Sequence, residues 1–263
     1  MYDFDFAKPA TIAEARAALN SDEAQALGGG QTLLPTMKQR LAAPGLLVSL
    51  TGIAEMKGVG PTGDGQLVIG GATTHAMVAA EAAAHYPALA GLARRIGDPA
   101  VRNRGTIGGS LANNDPSACY PAAVLASGAT VVTDSREIAA DDFFDGMFGT
   151  ALEDGEINTG VRFPLPREAD YQKFVQPASR FALVGVFVAR FSDGVRVAVT
   201  GAGAQGVFRW TEAEAALSAD FSRDAVAALA VPDVEMISDM HAAGDYRAHL
   251  VRVMTGRAVA AAR

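Results

Sequence analysis

Hydrophobic and polar positions follow two regimes along the chain. Up to about residue 165, short apolar runs alternate with segments whose apolar residues recur every three to four positions; beyond it the periodicity changes to successive strand-length segments. The first regime predicts strands interleaved with helices, the second an antiparallel sheet. Thr11, followed by Ile12, Ala15, Ala18 and Leu19 on one face and by Glu14 at the third helical position, predicts a helix opened by a capping box. Residues 24–27 read as a short buried strand, 35–41 as a helix with Pro35 in its first turn, and 46–50 as a second strand. Residues 60–65, rich in Gly, Pro and Asp, read as a turn or a junction between subdomains. A strand at 66–71 leads to a helix running to residue 84 and capped by Thr73 or Thr74. A second helix, 88–96, stops at Gly97-Asp98-Pro99.

Residues 101–116 read as one long polar loop punctuated by glycine. A helix at 120–127 and strands at 130–133 and 157–163 follow, with Phe143, Phe144, Met147 and Phe148 expected in the core or against the next domain. Pro164-Leu165-Pro166 is the expected domain boundary. After it come strands at 171–175, 182–191 and 194–200, the last two joined by Ser192-Asp193-Gly194, and a further short strand at 208–210. Helices at 212–217, 223–230 and 246–261 are expected behind Thr211, Ser222 and Asp239. The expected class is α+β. Residues 1–165 form two α/β subdomains, about 1–58 and 59–165, and residues 166–263 a smaller α+β domain with a three-stranded antiparallel sheet and helices.

Composition narrows the partners. With 263 residues the chain exceeds the usual single-core size, and 49% apolar content suffices for two cores. A net charge of −7 argues against nucleic acid or an anionic membrane as the main partner, since either calls for a basic face. Cys119 is the one cysteine, so this chain alone forms no disulfide, cysteine-ligated iron–sulfur cluster or cysteine zinc site. The acidic start, Met1 to Phe6, lacks the apolar core of a signal peptide, and no apolar run approaches the ~18 residues that span a bilayer. The expected location is cytoplasmic.

Candidate chemistry concentrates in glycine. In Gly28-Gly29-Gly30-Gln31-Thr32-Leu33-Leu34-Pro35, three bare backbone units let successive N–H groups converge on an anion, although such runs also serve as turns or linkers. The run matches neither the dinucleotide fingerprint nor the P-loop. Thr106-Ile107-Gly108-Gly109-Ser110 repeats its logic, with hydroxyls beside the glycines, and two such cradles suit a pyrophosphate held from both sides. Arg102 and Arg104 could neutralise it or simply be solvated. His75, at a predicted helix start, could touch a ligand or serve as a structural hydrogen-bonding residue.

Taken with Met37-Lys38-Gln39-Arg40-Leu41, Thr73-Thr74-His75, Ile96-Gly97-Asp98-Pro99, Arg102-Asn103 and Asn114-Asp115-Pro116, these motifs in this order resemble the FAD-binding medium subunit of the molybdenum hydroxylases, of carbon monoxide dehydrogenase and xanthine dehydrogenase type. The resemblance covers nearly the whole chain. It implies a p-cresol-methylhydroxylase-type FAD-binding domain in which the two glycine loops clasp the FAD pyrophosphate. It implies an electron-transfer role between the 2Fe–2S clusters of a small subunit and an external acceptor, with substrate oxidised at a molybdenum cofactor in a large subunit, and an assembly as a dimer of heterotrimers. It places Gly28, Gly29, Gly30, Gln31, Thr32, Leu33, Thr106, Gly108, Gly109, Ser110, Asn114, Asp115, Cys119, Ile157, Lys173 and Phe181 at the cofactor, with Phe181 against the isoalloxazine ring and Lys173 near it. Many relatives carry aspartate where this chain has Cys119, so that contact is expected to be lost or taken by Asp115 or Asn114. The inserted 4Fe–4S cluster of some relatives is excluded by the single cysteine. The alternatives are a free-standing FAD-dependent oxidoreductase acting on its own small substrate, which needs a general base over the flavin, and a scaffold that has lost FAD. Among His75, His85, His241 and His249 no catalytic set is recognisable.

Overall fold

Three sheets, formed in chain order, hold the named strands of the computed structural model, which describes residues 1–230 and 232–263. The first sheet comprises β1 (Asp5–Ala7), β2 (Ala24–Leu27) and β3 (Leu46–Ser49), ordered β1-β3-β2 and parallel throughout. Helix α1 (Ile12–Leu19) crosses from β1 to β2. Its start is the expected one: Thr11 Oγ1 accepts from Glu14 N at 3.2 Å, while the Glu14 carboxylate accepts from Ala10 N at 2.7 Å. Ala15 and Leu19 turn inward onto Val48, Ile53 and Met56. Helix α2 (Leu33–Lys38) begins two residues before Pro35, which its first turn tolerates because that N–H needs no partner there.

The second sheet holds β4 (Val59–Pro61), β5 (Leu67–Gly70), β6 (Thr130–Thr133), β7 (Glu137–Ala139) and β8 (Asn158–Phe163), ordered β4-β5-β8-β6-β7 and antiparallel. Residues 62–65 are the turn of the β4–β5 hairpin, closed by Thr62 N to Gln66 O at 2.8 Å. Between β5 and β6 run α3 (His75–Glu81), α4 (Pro87–Arg94), α5 (Pro99–Arg102), α6 (Ile107–Asn113) and α7 (Tyr120–Ala126); α8 (Ala140–Phe143) follows β7. The stretch expected as one loop, 101–116, is therefore largely helical. Two glycines weaken helix propensity, but Thr106 caps the start, and Ile107 and Leu111, one turn apart, are both fully buried and anchor it. Phe143 enters the core with Phe144 packed edge-on, ring centroids 5.1 Å apart, whereas Met147 and Phe148 are exposed.

The third sheet is β9 (Glu168–Val175), β10 (Ala182–Arg190), β11 (Val195–Thr200) and β12 (Phe208–Arg209), ordered β12-β11-β10-β9 and antiparallel. It has four strands where three were expected, because Phe208 and Arg209 pair with Val199 and Ala198. Strand β10 is buried on both faces. Val184, Val186 and Val188 join the core beneath α9 (Thr211–Ala219), α10 (Arg223–Ala227) and α11 (Gly244–Ala261), while Phe187 and Ala189 enter the core of the second sheet. Period-two alternation thus welds the last sheet to the middle one. Asp239 does not cap a helix; it accepts from His241 N and Ala242 N in a tight turn before α11 and pairs with Arg247.

Candidate functional site

Strand β2 delivers Gly28, Gly29 and Gly30 to the carboxyl edge of the parallel sheet, where open α/β layers place ligands. Opposite stands the first turn of α6. The two glycine segments lie in contact: a Cβ on Gly28 would sit 2.8 Å from Thr106 Oγ1 and 3.5 Å from Gly109 Cα, and one on Gly29 would overlap the Arg104 carbonyl. Gly30, with φ +70°, occupies the left-handed region that side chains rarely adopt. Behind them, residues 71–75 and 105–108 are stitched together by Gly108 N to Gly71 O at 2.9 Å, Ile107 N to Thr73 O at 3.1 Å and His75 N to Gly105 O at 2.9 Å.

That stitching divides the labour between the loops. Gly108 N, Gly109 N and Ser110 N all donate inside the chain, to Gly71 O, Thr106 Oγ1 and Thr106 O, so the expected exposed donors of the second loop are not there. Its glycines instead permit close approach, since a Cβ on Gly108 would stand 2.6 Å from Gly71 O. Among the described residues, the backbone N–H groups of Gly29, Gly30, Gln31, Thr32 and Leu33 find no acceptor within the chain. The anion cradle is one-sided.

A cavity of about 860 Å³ opens over this contact. Gly28, Gly29, Gly30, Gln31, Thr32, Leu33, Thr106, Gly108, Gly109, Ser110, Asp115, Cys119, Ile157, Lys173 and Phe181 all line it. Asn114 does not. It ends α6 in the left-handed conformation, φ 39°, which asparagine tolerates, and its buried amide donates to Gly146 O at 2.9 Å and Gly149 O at 2.7 Å. Nor do Arg102 and Arg104 line the cavity; Arg102 Nη1 donates to Ile96 O and Gly97 O, both at 3.0 Å. Lys173 is buried, with Nζ 2.7 Å from Arg95 O and 3.5 Å from Cys119 Sγ. Phe181 meets His241 edge-on, ring centroids 5.4 Å apart.

Several lining groups escaped the sequence reading. Ser179 and Arg180 flank Phe181 at the end of the β9–β10 hairpin, and Glu156 and Asn158 bracket Ile157. The Glu156 carboxylate accepts from Arg136 Nε, Thr133 Oγ1, Ser135 Oγ and Glu153 N, and the Arg136 hydrogen bond holds it far below the usual carboxylate range. For Asn158, its place directly after Ile157, at the head of the strand 158–163, was the available sign. His75 does line the cavity; its ring lies 5.3 Å from that of Tyr120, and Nδ1 is buried without a partner.

Burial, aided by the nearby Arg102 charge, lowers His75 from 6.5 to about 4. Below pH 6.5 the unfolded imidazole takes up a proton that the folded one refuses until about pH 4. The unfolded state therefore binds more protons in that window, and stability falls as pH drops through it. Urea unfolding at about pH 7 and about pH 5 should show a smaller acid loss for His75→Gln than for the parent. Equal losses would contradict the assignment.

A family description, FAD binding domain in molybdopterin dehydrogenase, matches residues 2–166. The chain belongs to this family. It is 34% identical to the nicotine 6-hydroxylase medium subunit of Paenarthrobacter nicotinovorans, over 97% of this chain and 95% of that one. It is 33% identical to the carbon monoxide dehydrogenase medium chain of Afipia carboxidovorans, over 99% and 96%. The carbon monoxide dehydrogenase of Hydrogenophaga pseudoflava lacking the Mo-pyranopterin moiety superposes with a TM-score of 0.90 at 32% identity, covering 99% of this chain and 97% of that chain. The fold is thus the mixed α/β fold of those medium subunits, and the family cofactor is FAD.

The residues present suit that cofactor. Bare glycines on both sides leave the approach a pyrophosphate needs, and the first loop supplies N–H donors that lack chain acceptors. Asn158, a residue of the cavity lining, carries a buried amide without a partner among the described residues. The volume falls within the range of small-molecule and cofactor sites, about 300–1,000 Å³.

Proposed function

We propose that this chain is the electron-transfer subunit of a molybdenum-containing hydroxylase, holding the FAD through which electrons from the 2Fe–2S clusters of a small subunit reach an external acceptor. The molybdenum chemistry then resides in a large subunit, within a cytoplasmic dimer of heterotrimers. The observation that carries this reading is the run of N–H groups from Gly29 to Leu33, without chain acceptors, facing bare glycine across one cavity. When bound, FAD supplies redox chemistry that no side chain here provides.

The chain's own work is to bind and orient. The first loop takes the pyrophosphate through backbone donors, and α6 closes on it through Gly108 and Gly109 with Ser110 alongside. Thr106 keeps its oxygen on the helix cap, which fixes the spacing of the clasp. Phe181 shields one face of the isoalloxazine by stacking, and Lys173, held on Arg95 O, sets a positive charge near the ring. Cys119, where many relatives are expected to carry aspartate, lies 3.5 Å from Lys173 Nζ. Asp115 is the remaining carboxylate on the second loop that lines the cavity. In this reading residues 1–165 are a p-cresol-methylhydroxylase-type domain of two subdomains, about 1–58 and 59–165, and residues 166–263 form the smaller domain.

Purified under native conditions, the protein should be yellow, carry one FAD per chain and copurify with an iron–sulfur chain and a molybdenum chain. A colourless protein that takes up no FAD on titration would overturn the reading. Turnover of a small substrate by the isolated chain would instead favour the free-standing oxidoreductase.

A further inference from the structure

We infer that the side-chain amide of Asn158 recognises a ring edge of FAD on which a hydrogen-bond donor and acceptor stand side by side. The inference rests on FAD as occupant of the cavity. Asn158 is 6% exposed, lines the cavity, and has neither Oδ1 nor Nδ2 paired within the chain. Native proteins pair such groups almost without exception, and leaving one buried and unpaired is costly. Two unpaired atoms of opposite polarity on one planar group therefore mark a place where something else completes the pairing.

Its surroundings hold the backbone in place. Asn158 opens β8 opposite Thr133. The preceding Ile157 N donates to Asp134 Oδ1 at 2.7 Å, and Glu156 before it is anchored by Arg136 and Thr133. On the other side Gly71 packs so closely that a Cβ there would collide with the Asn158 carbonyl. With strand pairing on one side and Gly71 on the other, the backbone that carries the amide is fixed beside the cavity.

Other buried polar atoms without partners do not compete for this role. The hydroxyls of Tyr120 and Tyr171, the Trp210 indole, Asn114 Oδ1 and Arg247 Nε belong to residues outside the cavity lining, and His75 Nδ1 is a single atom. An amide offers one donor and one acceptor in a plane. Asparagine uses that geometry for two-point contacts to adenine. A phosphate offers acceptors alone and cannot answer both. FAD carries two matching edges, that of adenine and the pyrimidine edge of the isoalloxazine.

The test uses the full chain purified with whatever subunits accompany it, stripped of flavin and titrated with FAD, ADP and riboflavin. Asn158→Leu should weaken FAD binding roughly ten- to hundredfold. Without ligand it should melt at or above the parent temperature, since two unpaired polar atoms are gone; this separates recognition from folding. Asn158→Asp, which keeps the shape but cannot donate, should lose a comparable factor. If the adenine edge is read, ADP weakens in parallel and riboflavin does not. If the pyrimidine edge is read, riboflavin weakens, and the visible spectrum and midpoint potential of bound flavin shift. FAD affinity of Asn158→Leu within about twofold of the parent overturns the inference while leaving the cofactor assignment standing; a parent that binds no FAD sinks both.

Discussion

Gly29→Ala is expected to weaken FAD binding at least about tenfold. A single methyl there has nowhere to go: it would overlap the Arg104 carbonyl and crowd Gly105 Cα, and these are backbone atoms rather than the yielding end of a side chain. Residues 104 and 105 cannot retreat, because Gly105 O accepts from His75 N and the next residues are stitched to Gly71 and Thr73. The first loop must move instead, and its N–H groups leave the position that serves the pyrophosphate. Overpacking in a closed interior costs about 1–3 kcal/mol, and the contact here is backbone on backbone, at the upper end. FAD affinity, titrated on the flavin-free protein, should fall at least about tenfold, one factor of ten for each 1.4 kcal/mol lost from binding. Gly63→Ala is the control, since a Cβ there meets nothing within 4 Å. Parental FAD affinity in Gly29→Ala would show that the two segments do not abut as described.

Arg247→Met should destabilise the C-terminal region by about 3 kcal/mol, the cost of stranding buried carbonyls that a charged donor had served. Arg247 is almost fully buried in α11, and its Nη1 donates to Leu183 O and Gly201 O, both at 2.7 Å. Its Nη2 donates to Asp239 Oδ2 at 2.8 Å. One guanidinium thus ties β10, the end of β11 and the turn before its own helix. The lone tryptophan, Trp210, lies in the same core, so urea unfolding followed by its fluorescence reports this region. The midpoint should fall in Arg247→Met and much less in Asp239→Asn, since Asp239 is itself over one-third exposed and its loss leaves both buried carbonyls served by the guanidinium. The turn held by Asp239 also presents His241 to Phe181, so losing its anchor should increase proteolysis near residues 239–242. An unchanged midpoint would contradict this account.

Local chemistry made much of the architecture legible. The capping box at Thr11, the long apolar strand β10 and the strand that runs into Gly28 depend on neighbours a few residues away, and the structure bears them out. Short edge strands were missed: β1, β4 and β7 have three residues each, too few to show a period. The helix α6 was missed because its glycines read as a loop, while the anchors that override them, Ile107 and Leu111, act through a core assembled from distant segments.

The sequence by itself determined where bare backbone lies and in what order the elements come, because glycine freedom, capping and periodicity belong to the residues and their neighbours. The tertiary structure alone decided which donors remain for a ligand. Gly108 N and Gly29 N look alike in the sequence, yet one is taken by Gly71 O and the other finds no acceptor in the chain. Asn114 and Asn158 are equally alike on paper; Nδ2 of the first donates to Gly146 O and Gly149 O, while that of the second has no acceptor among the described residues. The reason is physical: a hydrogen bond is satisfied by whatever the fold brings within about 3 Å, and most of these partners lie far away in the chain.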